Sequence, residues 1–298
     1  MKIRTKKTCY FSYTKPLAFI KKSDNQMKNL FTSSTLQNKE EKKHYRWQVS
    51  IAVLILFVFG SIINIPFSRE VKRLNIEAGN TKINLNESIF TDLTTIGVSS
   101  LILGAILVFI GLWISSRANL GAPLIARFFS KKPIDKIIKR DAVISSVFLA
   151  AIVAFILLGL FEIQKEFYPV AHKLSRPSKP FYVLVSFSAG ISEEIMFRLG
   201  LMSLIITVIQ FLKKADNPTN QTIWIGIIVS AIFFGLIHLP LSKNFVELTP
   251  FTIGVTMIGN LITGTTFGWI FWKRGLLVAI ISHIAFDLVF HVIGTPYT

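Results

Sequence analysis

Gly190-Ile-Ser-Glu-Glu-Ile-Met-Phe-Arg-Leu-Gly200 lies at the centre of an apolar run from Phe181 to Leu212. A run of about thirty residues is long enough to cross a bilayer with tilt. Glu193, Glu194 and Arg198 fall inside it. Each ionised group near the bilayer centre costs from about 3 to more than 10 kcal/mol, so intramembrane charge marks a functional site facing the protein interior.

Residues four apart on a helix stand one above the other, while adjacent residues point about 100° apart. Glu194 and Arg198 are therefore natural partners, with Glu N-terminal to Arg in the better orientation. Glu193 points elsewhere. One carboxylate is expected to be structural and the other to be available for chemistry. The bland alternative is a buried Glu–Arg–Glu network that only fixes helix packing.

The rest of the chain agrees with a membrane setting. It has 298 residues, 51% of them hydrophobic, and a mean hydropathy of +0.55. That is too apolar for a soluble domain of this size. The one cysteine, Cys9, rules out an internal disulfide and a Cys-based metal knuckle. The net charge is +17, and the first 46 residues hold twelve Lys/Arg against three acids. A basic tail ahead of a membrane span fits the positive-inside rule and attraction to anionic lipid, and no basic stripe interleaved with aromatics suggests nucleic acid.

Residues 1–46 are expected to form a mobile cytoplasmic tail, with no apolar core or cleavage site of a signal peptide. Spans are expected at about 48–67 (ending at Pro66), 93–114, 142–161, 181–212, 222–239 (stopped by Pro240), 250–272 and 276–293. Arg69, Glu70, Lys72, Arg73 and Glu77 would form the loop after the first span. The expected fold is an all-α, polytopic transmembrane helix bundle of about seven to eight spans, the eighth being a re-entrant or split segment around 241–262. Residues 47–116 would supply two N-terminal spans and 117–298 a functional core. Seven spans with a cytoplasmic N-terminus put the basic 117–140 loop, Lys213/Lys214 and Lys273/Arg274 all inside, and the protein in the cell membrane.

Ionisable residues are segregated among these spans. The fourth carries Glu193, Glu194 and Arg198, the fifth carries His238, and the seventh carries His283, Asp287 and His291. A polar pocket between helices four, five and seven follows. Asp287 shares a face with His283 and can orient its imidazole. Phe234 can pack on the His238 ring, and Gly235 lets a neighbouring helix come close. His291, near a helix end, reads as an interfacial histidine, and His44 and His172 are given no role. At about 1.5 Å per residue, Glu193 and His283 lie near mid-membrane, with His238 nearer the outer boundary.

Such a set can activate water for attack on an amide. Glu193 would be the general base, His238 would position the water, and His283, held by Asp287, would stabilise the oxyanion. The same groups could instead hold Zn²⁺, with Glu193, His238 and His283 as ligands of an open tetrahedral site. The His-Glu-x-x-His signature of soluble zincins is absent.

Glu193-Glu194-x-x-x-Arg198, Phe234-x-x-x-His238 and His283-x-x-x-Asp287 resemble, in order and spacing, the three motifs of the CAAX protease and bacteriocin-processing (CPBP) family of intramembrane proteases. Gly264-Thr-Thr-Phe-Gly-Trp-Ile270 and the Leu120-Gly-Ala-Pro123 loop are also similar, so the likeness covers about 117–293. The resemblance implies hydrolysis of a peptide bond in a membrane-associated protein or peptide. Glu193 and His238 would activate water, Glu194 and Arg198 would support them, and His283 with Asp287 would stabilise the oxyanion. The family has been described both as metalloproteases and as metal-independent glutamate proteases. Its third motif usually ends in Asn, and Asp287 departs from this. An amide donates to an oxyanion, whereas an ionised carboxylate cannot. Either Asp287 only orients His283, or it carries a proton, or activity is altered. The rival readings are a non-catalytic bacteriocin-immunity or scaffold protein that keeps the pocket, and a proton-coupled transporter, which would more often show internal repeats.

Overall fold

The computed structural model describes residues 45–79, 88–131, 140–170 and 172–294. The expected basic tail, apart from its last two residues, lies outside them, as do Cys9, His44 and residues 132–139 of the basic loop. The described helices are α1 (Arg46–Ile63), α2 (Ile65–Glu77), α3 (Ile89–Arg117), α4 (Pro123–Ser130), α5 (Arg140–Phe167), α6 (Lys179–Leu212), α7 (Asn220–Phe245), α8 (Pro250–Arg274) and α9 (Leu276–Ile293). With α1 and α2 taken together, seven are long and apolar enough to cross a membrane. The protein is an all-α, multi-pass helix bundle. Among the described residues the only β pairing is an isolated bridge between His172 and Val246.

Three boundaries differ from the sequence reading. Pro66 does not close the first span; it sits in the first turn of α2, where its missing N–H costs nothing. The expected loop after it is helical, because Arg73 bonds Glu70 at 2.7 Å and also Glu77 along one face. Arg69 ties α2 to Asp92 of α3 at 2.5 Å. Pro240 does not stop α7, which continues to Phe245. A proline within a membrane helix is tolerated when neighbouring groups satisfy the freed carbonyl. α7 and α8 are joined by a short turn capped by Thr249 and Thr252, so 241–262 holds no re-entrant segment.

Large apolar side chains point outward along α3 and α5, with Ile106 54% and Phe148 65% exposed. Small polar groups are turned inward: Ser186, Ser203, Ser230 and Ser282 are fully buried. Lipid solvates the first set and helix packing the second. Gly190 shows how closely α6 meets α9. A Cβ there would lie 2.6 Å from Ile284 Cγ1 and 3.1 Å from its backbone nitrogen. That approach brings Glu194 level with His283.

Loop contacts mark the two ends of the bundle. At one end Asn119 bonds Asn217 at 2.9 Å, and the Leu276 N–H bonds the Gly121 carbonyl at 3.0 Å. Lys213 and Lys214 directly follow α6, and Lys273 and Arg274 end α8, at this face. At the other end the Lys173 N–H bonds the Phe245 carbonyl at 2.7 Å, beside the His172–Val246 bridge.

Candidate active site

The spans expected to converge do converge. The fourth, fifth and seventh are α6, α7 and α9, and all six candidate residues meet between them. α6 changes character at this point: from Glu194 to Met202 it is a π-helix, so its turns are closed by i→i+5 bonds. The Ser203 hydroxyl donates to the Arg198 carbonyl at 2.9 Å, five residues back. α9 makes the same change directly after Asp287, over Leu288–Ile293. No apolar-run reading could find these turns, because periodicity does not separate one wide turn from its α-helical flanks.

Glu194 is sealed, with no exposed surface. Its Oε2 accepts from Arg198 Nε at 3.2 Å, and its Oε1 accepts from His283 Nδ1 at 3.0 Å. Arg198, also fully buried, donates from Nη1 to Ser230 at 3.3 Å and lies 5.2 Å from the Phe234 ring centre. The expected Glu194–Arg198 pair is therefore present. The structure adds that this pair grips the imidazole of α9.

Glu193 is placed otherwise. Its side chain keeps 19% of its surface and lines a cavity of about 360 Å³. Its Oε1 is 3.8 Å from His238 Nε2, and its Oε2 is 3.8 Å from His283 Nε2. His238 Nδ1 donates to the Phe234 carbonyl at 2.6 Å, which directs the Nε2 lone pair at Glu193. Phe234 also packs on the His238 ring at 4.6 Å, as expected. Phe267 stacks on His283 at 4.3 Å and fixes the plane of that ring.

Asp287 departs from the sequence reading. It lies 3.7 Å from His283 Nε2, beyond hydrogen-bond reach, so Glu194 and not Asp287 holds the imidazole. A one-helix, i+4 view could not show a partner that comes from another helix. His291, near the end of α9, lines the same cavity, its ring stacked on Tyr182 at 5.2 Å. His172, Arg176 and Asn260 line it too, and the sequence reading gave none of them a role. A larger cavity of about 680 Å³, between α1, α3 and residues 120–126, holds none of the six candidates.

The zinc alternative can be tested against these positions. The two imidazoles face different oxygens of Glu193. Among the described residues, no group of three or more His, Cys, Asp or Glu side chains is gathered closely enough to hold a metal ion. As placed, Glu193, His238 and His283 do not form a ligand set.

No curated protein and no solved structure matches the chain. Residues 176–289 match a family model described as Type II CAAX prenyl endopeptidase Rce1-like. The match begins after α5 and takes in every candidate residue, so this segment of the chain is similar to the CPBP family of membrane proteases.

Proposed function

We propose that the chain is an intramembrane endopeptidase that hydrolyses a peptide bond of a membrane-associated protein or peptide, with Glu193 as general base. One observation carries the reading: two adjacent carboxylates have been given different environments. Glu194 has both oxygens engaged and no access to the cavity. Glu193 has no partner at hydrogen-bond distance among the described residues and faces the cavity between two imidazoles.

The 3.8 Å separations are too long for direct hydrogen bonds and short enough for one water to bond both groups. Water held between Glu193 and His238 Nε2 gives its proton to Glu193 as its oxygen attacks the carbonyl carbon. The carbonyl oxygen takes up the negative charge. His283 with protons on both nitrogens donates from Nδ1 to Glu194 and from Nε2 to that oxyanion. Glu194, bonded to Nδ1, supplies the counter-charge that an imidazolium needs. Collapse of the intermediate breaks the C–N bond, and Glu193 returns its proton to the leaving amine. Arg198 holds Glu194 in place. No step uses a metal.

The charge bias supports an orientation in the cell membrane with the N-terminus in the cytoplasm. The mouth of the cavity, with His172, Arg176 and Val246, then lies at the opposite face. The experiment is to incubate the purified chain in proteoliposomes with a membrane-anchored peptide in H₂¹⁸O. Hydrolysis places one ¹⁸O in the new carboxylate of the product. A protein that binds the peptide and leaves it intact under all conditions is the immunity or scaffold protein instead.

A further inference from the structure

The cavity around Glu193 has a second polar element, at its mouth. Arg176 is the only Lys or Arg among the residues lining it. Its Nε donates to the Tyr182 hydroxyl at 3.2 Å, and its guanidinium carbon lies 5.1 Å from the centre of that ring. Tyr182 is itself fixed: it is 5% exposed, and it packs against Phe67 at 5.8 Å and His291 at 5.2 Å. Pro177 follows Arg176 and holds its backbone extended. Among the described residues, no carboxylate lies within salt-bridge distance of the guanidinium, and neither Nη atom has a hydrogen-bond partner.

This is an unusual way to leave an arginine. A guanidinium carries five N–H donors in a rigid fork suited to carboxylate. Here Nε and the ring face are used to hold the group still, and both Nη atoms remain for a ligand. The other charges lining the cavity are acidic: Glu193, three turns further along α6 than Tyr182, and Asp287, one turn from His291 on α9. A ligand with its carboxylate at the mouth and a neutral chain further in matches this gradient. A ligand with its carboxylate at the bottom does not.

We infer that Arg176, held by Tyr182, is a carboxylate-binding subsite that sets which peptides enter the cavity and in what register. The inference rests on the peptidase reading for its ligand, a peptide. Tyr182 precedes Glu193 by eleven residues on α6, or about 16 Å of helix rise. An extended peptide covers about 3.3 Å per residue. The bound carboxylate therefore lies about five residues from the bond that reaches Glu193. It is either a chain terminus or an acidic side chain, since both present the same group.

Binding separates these sources and does not require turnover. The full chain carrying Glu193→Gln, in a zwitterionic detergent, is titrated against fluorescent Leu/Ala peptides. One has a free C-terminal carboxylate, one is its amide, and one is the amide with a single internal Glu. A hydrogen-bonded charge implies that at least one anionic peptide binds about ten- to a hundred-fold more tightly than the neutral amide. Preference for the first identifies the chain terminus, and preference for the third the side chain. Adding Arg176→Gln brings the ratio close to one, and Arg176→Lys keeps part of it. Equal affinities for all three peptides, no measurable binding of either anionic peptide, or a preference that survives Arg176→Gln overturns the subsite. The equal-affinity test needs no Arg176 variant, so misfolding of one does not obscure it. Cleavage in H₂¹⁸O without any carboxylate preference would leave the peptidase standing and remove only this subsite.

Discussion

His283 Nδ1 donates to Glu194 Oε1 at 3.0 Å, across 89 residues of sequence. This bond locks α9 to α6, and it decides which nitrogen of His283 faces the cavity. With Nδ1 occupied, only Nε2 is presented to Glu193, 3.8 Å away. The structural carboxylate thus positions the group that works beside the chemical one.

Loss of Glu194 should therefore cost stability first. Glu194→Ala leaves Arg198 buried and uncompensated, a change that typically costs about 3–5 kcal/mol. We expect a marked drop in melting temperature and expression. The double variant Glu194→Met/Arg198→Met should be more stable than Glu194→Ala, since it removes both charges together. A thermal-unfolding series in detergent checks this. Additive losses from the two sites would show that they do not act as a pair.

The closeness of α6 and α9 has its own test. Gly190→Ala places a Cβ 2.6 Å from Ile284 Cγ1, an overlap that should cost about 1–3 kcal/mol. Peptide cleavage should fall further than stability does, because the displacement falls between Glu193 and His283. Adding Ile284→Ala should restore part of the activity. No recovery in the double variant would mean that the contact does not set the geometry.

Asp287→Asn should retain or raise turnover. Asp287 makes no hydrogen bond to His283, so an amide loses nothing there and gains an N–H that can face an oxyanion. Steady-state cleavage rates decide it. A loss of about a hundred-fold or more would show that the negative charge at 287 is required.

Treatment with a chelator such as 1,10-phenanthroline, followed by dialysis and metal analysis, should leave cleavage unchanged, because no step above uses a metal. A metal enzyme must lose activity when stripped and regain it when metal returns.

Much of this arrangement was legible in the sequence because burying charge in a bilayer is expensive. Glu193, Glu194, Arg198, His238, His283 and Asp287 stood out against apolar helices, and i+4 spacing separated Glu194 from Glu193. The rest was hidden for physical reasons. The π turns after Glu193 and Asp287 leave the apolar run intact. The grip of Glu194 on His283 joins two helices, which no single-helix spacing records. Pro66 and Pro240 read as stops because proline breaks helices in water. One sits where it costs nothing, and the other lies in a membrane helix that tolerates it. Arg176 and His172 fall in a loop, where charge is ordinary, and only the cavity gives them meaning.

The most direct test of the central claim is Glu193→Gln, measured for cleavage and for melting temperature on the same preparation. Among the described residues the side chain has no hydrogen-bond partner to lose, and the change keeps its volume, so the variant should melt within a few degrees of the wild type. A general base contributes about 10²–10⁴-fold, and turnover of a membrane-anchored peptide should fall by at least that much. Wild-type turnover in a folded Glu193→Gln protein would contradict the account.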